Sequence, residues 1–202
     1  MLAIDRYFDP IPSQKSCAME LYSLVEKLPI ISPHGHVDPS LFSAPNRRFG
    51  NPVELLLQPD HYVLRMLYSQ GISYEPILSG EDPHKIWQIF ADHFYLFAGT
   101  PSGAWLSHEL EAVFGVSEKL TGESASRIYE QIQAALLSQE YTPRALFEKL
   151  NIEVLATTDA ATDNLEHHRL IRKSGWKANI IPTFRPDGVI NLQAQNWLEN
   201  IR

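Results

Sequence analysis

Cysteine is almost missing from this chain: Cys17 is the only one in 202 residues. No disulfide can form within the chain, and a reducing compartment is expected. Long apolar runs are missing as well. No stretch approaches the roughly 18 residues of a membrane span. The N-terminus carries Asp5 and Asp9 and no apolar core of signal-peptide length, so a cytoplasmic protein is expected. Positive charge is in short supply. Lys and Arg number 17 against 24 Asp and Glu, a net charge of -7, which argues against a nucleic-acid or anionic-membrane surface. Neither common Gly-rich phosphate loop occurs, and nothing reads Gly-x-Ser-x-Gly. Cys17 lacks a nucleophile's context and falls on the apolar side of a helical pattern, as a small core residue would.

What the chain does have is a hydrophobic fraction of 44%, ordinary for a globular core. Its most telling stretch is Leu28-Pro29-Ile30-Ile31-Ser32-Pro33-His34-Gly35-His36-Val37-Asp38. The short apolar run reads as a buried strand ending in two histidines spaced i, i+2. Alternate side chains of an extended chain point the same way, so both imidazoles can converge on one point. Imidazole suits zinc and similar divalent cations, and the pattern reads as a metal site at a strand mouth. The bland alternative is a turn with two exposed histidines.

Periodicity predicts a helix over residues 13–27, before this strand. Residues 39–150 then change character, with Pro-rich breaks alternating with helical patterns over 52–57, 61–69, 83–97, 104–114, from about 124, and from 142. Thr142-Pro143 supplies an N-cap followed by Pro at N1, and Gly115 a helix stop. After Asn151 strand and helix alternate. Strands are predicted over 152–157 and 179–184. A helix starts at the capping-box-like Asp163-x-x-Glu166, and Asn191 caps a last one. The organisation expected is 1–38 as a helix plus first strand, 39–150 as a helical insertion and 151–202 as two further strands with their helices. A strand-helix-strand unit of this length implies parallel strands. Three strands end in polar groups: His34 and His36, Thr158-Asp159, and Arg185-Pro186-Asp187. Carboxyl ends of strands carry the site in parallel α/β folds, whether doubly wound or barrel.

Other candidates carry a functional and a plain reading side by side. Asp60 is a natural N-cap. His61 and Tyr62 behind it are packing residues or a pair of proton-transfer groups. Arg185 grips a carboxylate bidentately or pairs with Asp187. In Glu166-His167-His168 adjacent helical residues diverge by about 100°, which favours a solvated helix face over a metal cluster. His84, His93 and His108 read as structural or exposed. The aromatic stripe Trp87, Phe90, Phe94 and Phe97 reads as core.

Taken in order, several segments resemble the N-terminal portion of the uronate isomerases (glucuronate isomerases), divergent members of the metal-dependent amidohydrolase superfamily. These segments are His34-Gly35-His36, Asp60-His61-Tyr62-Val63-Leu64-Arg65-Met66, Trp105-Leu106-Ser107-His108-Glu109-Leu110, Thr157-Thr158-Asp159 with Leu165-Glu166-His167-His168, and Pro182-Thr183-Phe184-Arg185-Pro186-Asp187. The resemblance implies an α/β fold of the (β/α)8 TIM-barrel type with a helical insertion after strand 1. It implies one zinc held partly by His34 and His36, His61 and Tyr62 lining the site, and Arg185 on a sugar acid's carboxylate. It further implies interconversion of D-glucuronate with D-fructuronate and of D-galacturonate with D-tagaturonate in the complete protein. That protein is expected to be a homo-oligomer that takes a small-molecule sugar acid and neither nucleic acid nor membrane. Pro33 before the first histidine and Gly35 between the two depart from many members, which have an aromatic and a bulkier residue there. A barrel needs about 250 residues, and the family's chains are roughly twice this length, so only the first barrel strands are expected here. Two alternatives stand beside the isomerase: a metal-dependent hydrolase of a lactone or amide on the same scaffold, and a non-catalytic piece that needs a partner chain.

Overall fold

The computed structural model describes residues 3–201 and divides the chain into two units, one from residues 1–24 and 49–140, the other from residues 25–48 and 141–202. In chain order the elements are α1 (Pro12–Val25), β1 (Ile30–Gly35), α2 (Ser40–Ser43), α3 (Pro52–Leu56), α4 (His61–Tyr68), α5 (Tyr74–Ser79), α6 (Pro83–Asp92) and α7 (Pro101–Ala112). They continue with α8 (Ala125–Leu136), α9 (Pro143–Lys149), β2 (Ile152–Ala160), α10 (Glu166–Lys173), β3 (Asn179–Arg185), α11 (Asp187–Ile190) and α12 (Trp197–Asn200).

The first unit is helical, and its helices start where side chains can take up orphan backbone N–H groups. Asn51, Asp60, Asp82 and Thr100 each accept from the first turn of α3, α4, α6 and α7 in turn, and proline occupies the opening of α3, α6 and α7. The Thr100-Pro101 start puts α7 three residues ahead of the expected position. The aromatic stripe is core, as its spacing suggests: Trp87, Phe90, Phe94 and Phe97 are all buried. It is not one helix, however. α6 stops at Asp92, and Phe94–Phe97 tighten into a 3-10 turn. Trp87 also donates its indole N–H to the Ala125 carbonyl at 3.0 Å, which ties α6 to the start of α8.

α1 forms where periodicity places it, but none of its residues is buried. Cys17 is therefore exposed, contrary to the core position its spacing suggests. Leu21 and Leu24 beside it are exposed too, and the Phe8 ring meets the helix edge-on at Tyr22, centroids 5.8 Å apart.

The second unit is a three-stranded sheet in the order β1-β2-β3, parallel throughout. Successive parallel strands with helices between them are the α/β arrangement with which a (β/α)8 barrel begins. One face is covered. Leu155 of β2 and Ile180 of β3 pack against Phe42 of α2, Phe147 of α9 and Ile171 of α10. Arg144 of α9 closes this layer by donating to the Phe42 carbonyl at 2.7 Å and lying over the Trp176 ring. The other face is open: Ile31 of β1 and Ile181 of β3 are exposed. The expected burial of β1's apolar run is thus not met: parallel strands need cover on both faces, and Ile30 and Ile31 are both exposed.

The chain after β3 also differs from expectation. Asn191 does not begin a helix; it ends α11, which opens at Asp187 directly after Pro186. α10 starts at Glu166, later than the Asp163 position, because Asp163 and Asn164 turn their side-chain oxygens onto the Leu165 and Glu166 N–H groups.

Candidate functional site

β1 and β2 do not run in even register. Ser32 lies opposite Leu155 and Gly35 opposite Thr157, so β1 takes three residue steps where β2 takes two. The extra residue is a bulge at Pro33-His34, a place where proline's missing N–H costs nothing. Its effect on direction is large, since a one-residue slip moves every following side chain to the other face. Strict alternation from Ser32 would turn His34 and His36 toward the Leu155 side, into the packed layer. The bulge instead puts Gly35 on that side and the two histidines on the open side. The residue at 35 must be small, because a Cβ there would lie 2.9 Å from Leu155 Cδ1 and 3.0 Å from the Ala156 carbonyl oxygen.

The two imidazoles meet. His34 Nε2 and His36 Nε2 are 2.9 Å apart, with the ring planes 79° to one another. Both side chains are exposed at the carboxyl end of β1. Two nitrogens that each bind one zinc at about 2.0–2.1 Å must lie within about 4 Å of each other, and this pair does. Both are imidazole nitrogens, a ligand type that suits zinc and its neighbours. The donor set fits a divalent cation, although no third histidine, cysteine or carboxylate joins it among the described residues.

Beside His36, at the same end of the sheet, lies a cavity of 410 Å³ lined by Asp38, Thr158, Asp159, Asp163, His167 and His168 among others. His168 corrects the solvated-face reading: it is 4% exposed and packs under the sheet. Its Nε2 is 2.9 Å from Thr157 Oγ1, which lies 2.7 Å from Asp159 Oδ2. The hydroxyl has one proton to give. The short carboxylate contact takes it, so His168 is the donor on the other side and carries its proton on Nε2. The signal for burial was in the sequence: His168 is three residues before Ile171, on the side of α10 that packs inward.

The remaining candidates are held on elements of their own. Asp60 accepts from the Tyr62 N–H at 2.8 Å and the Val63 N–H at 3.3 Å, which is the cap expected of it. His61 and Tyr62 follow in the exposed first turn of α4, ring centroids 4.3 Å apart, with the Arg65 guanidinium 5.3 Å from the Tyr62 ring. Arg185 ends β3 and pairs through Nε with Asp187 Oδ2 at 3.3 Å, the plain reading of that residue. In the helical unit, Glu109 of α7 has its pKa pushed above the ordinary carboxylate value, first by burial and then by the Asp60 charge.

The glucuronate isomerase family model matches residues 11–202. The uronate isomerase of Nostoc punctiforme is 50% identical over 208 residues, covering 100% of this chain and 44% of that protein. The uronate isomerase of Caulobacter vibrioides is 48% identical over 196 residues, covering 94% of this chain and 40% of that protein. Among solved structures, glucuronate isomerase from Caulobacter crescentus superposes with a TM-score of 0.94 at 44% identity, over 99% of this chain and 43% of that one. Uronate isomerase from Thermotoga maritima does so with 0.89 at 29% identity, over 100% of this chain and 43% of that one. The chain spans less than half the length of the relatives it matches. No helix among the described residues is long and apolar enough to cross a membrane. On a match that runs through nearly every described residue, this chain belongs to the glucuronate isomerase family.

Proposed function

We propose that the complete protein interconverts an aldohexuronate and its ketose isomer (D-glucuronate with D-fructuronate, D-galacturonate with D-tagaturonate) in the cytoplasm. The family is one of metal-dependent enzymes, and His34 and His36 are the residues of this chain that would hold the cation, zinc in this reading. The observation that carries the proposal is the 2.9 Å approach of the two Nε2 atoms at the carboxyl rim of a parallel sheet. When bound, the cation supplies Lewis acidity that stabilises negative charge developing on substrate oxygen.

The chain's own residues have the rest to do. Turning an aldose into a ketose removes a proton from C2 and delivers one to C1 through an enediol. His61 and Tyr62 are the pair we assign to proton transfer: both are exposed, both rings lie together, and both groups can give and take protons. Arg185 would hold the sugar acid's carboxylate. Its contact with Asp187 runs through Nε, and the fork of its two Nη atoms is the part that engages a carboxylate bidentately.

The test is made on the complete protein. His34→Ala and His36→Ala are expected to lower metal content and uronate isomerisation together, activity by about 100-fold or more, as for loss of a group acting only in the transition state. Arg185→Ala is expected to raise KM for the uronate by about 10-fold, the loss of a charge-assisted pair. Full turnover by both histidine variants without metal would overturn the proposal. Hydrolysis of a lactone panel with no isomerisation would replace it with a hydrolase.

A further inference from the structure

The bulge that turns His34 and His36 outward breaks the regular ladder between Ser32 and Gly35. A bulged segment has lost ladder hydrogen bonds, and Pro33 has no N–H to replace one. The ladder resumes only at Gly35, opposite Thr157, and a side-chain contact can brace the peptide that follows. Thr158 is in position to do so: its hydroxyl donates to the Gly35 carbonyl at 3.0 Å. That carbonyl belongs to the peptide joining Gly35 to His36. Its plane sets the direction in which the His36 imidazole leaves the backbone, and so its meeting with His34.

We propose that Thr158 is a positioning residue for the His34–His36 pair, holding the Gly35–His36 peptide so that both Nε2 atoms address one cation. The inference rests on the metal-ligating reading of the pair. Two further observations support it. Gly35 lies so near β2 that a Cβ there would come within 2.9 Å of Leu155 Cδ1, so the hydroxyl acts at a point of close strand contact. β2 is itself anchored on its other side, where the Thr183 hydroxyl donates to the Thr157 carbonyl at 2.6 Å. Thr158 thus ties the residue after the bulge to a strand that is itself anchored.

The test measures metal binding, separately from activity, in the complete protein. Metal is stripped and Zn2+ titrated back against a chromophoric chelator; Co2+ is then loaded and its visible absorption recorded. Thr158→Val, which keeps the shape and removes the donor, is expected to weaken Zn2+ binding about 10–100-fold, as loss of an outer-shell partner does. It is also expected to change the Co2+ ligand-field bands. Thr158→Ser restores the donor and is expected to bind within about 3-fold of the parent, well inside that outer-shell effect. Should the valine variant not fold, Thr158→Ala against Thr158→Ser makes the same comparison, since those two differ only by the hydroxyl. Equal affinity and an unchanged spectrum without the hydroxyl would overturn the inference, as would a serine variant as weak as valine. If the parent protein binds no metal, or His34→Ala binds it as tightly, the metal reading itself falls, and this inference with it.

Discussion

Glu109 is half-buried on α7, where burial first and the Asp60 charge second raise its pKa above the ordinary 4.5. The folded carboxyl therefore holds its proton more tightly than the unfolded one. Its ionisation penalises the fold, with no penalty below the ordinary value, a growing one as pH rises past it, and the full penalty above the raised folded value. Glu109→Gln removes the charge at nearly constant size. Its melting temperature is expected to exceed the parent's at pH 7, and the two to converge below pH 4.5; a gap that does not change with pH would contradict this origin. Asp60 cannot simply move away, because its carboxylate caps α4 directly before His61 and Tyr62. At this scale the sequence was partly legible. The His-x-His spacing pointed to the convergence of the imidazoles, and Asp60 to the cap. The side of the sheet on which the histidines emerge was not legible, since it depends on a one-residue bulge that only Pro33 hints at. Nor was Thr158, whose role is visible only once β2 lies beside Gly35.

At the scale of elements, the strands, most helix starts and the parallel order follow from residues that act locally. Asn51, Asp82 and Thr142 cap with their own side chains directly before helices that the pattern places there, whereas Thr100 starts α7 three residues ahead of the position read from periodicity. The short helices α2 and α5 carry too few turns for periodicity to show. The buried contact between β2 and α10 was hidden for another reason: its members are polar. Thr157 is fully buried and joins Asp159 of its own strand and His168 of α10. A hub of this kind is all or nothing, because partners left behind in a dry site lose water without gaining a replacement. Thr157→Val keeps the volume and strips both Asp159 and His168 of their shared partner. At about 1–3 kcal/mol for each of the two orphaned groups, the expected loss is about 2–6 kcal/mol in a denaturant melt, with Thr157→Ser retaining most of the stability. A valine variant as stable as the parent would mean that water takes the hydroxyl's place.

At the scale of the whole molecule, the sheet unit has an unresolved balance of surfaces. Parallel sheets occur with both faces covered, yet here one face packs on α2, α9 and α10 while the other leaves Ile31 63% and Ile181 38% exposed, with Phe184 at 75% near the carboxyl rim. β1 and β3 each have a single strand neighbour among the described residues. Such edges present unpaired backbone groups to any passing strand. The relatives this chain matches are more than twice its length, and further strands of a barrel would cover both features at once. The net charge of -7 works the other way, keeping copies apart by repulsion. These opposing terms make a prediction about residues 1–202 produced as a separate polypeptide. It is expected to bind a hydrophobic dye such as ANS and to self-associate, and to do both more than the complete protein does. Association is expected to strengthen between low salt and about 0.5 M salt, where the Debye length falls to a few ångströms and the repulsion is screened while apolar contact is not. Light scattering and dye fluorescence across a salt series read both effects. A monomeric, dye-silent chain at every ionic strength would show that the open face rearranges to bury itself, and would remove the case for further strands as its cover.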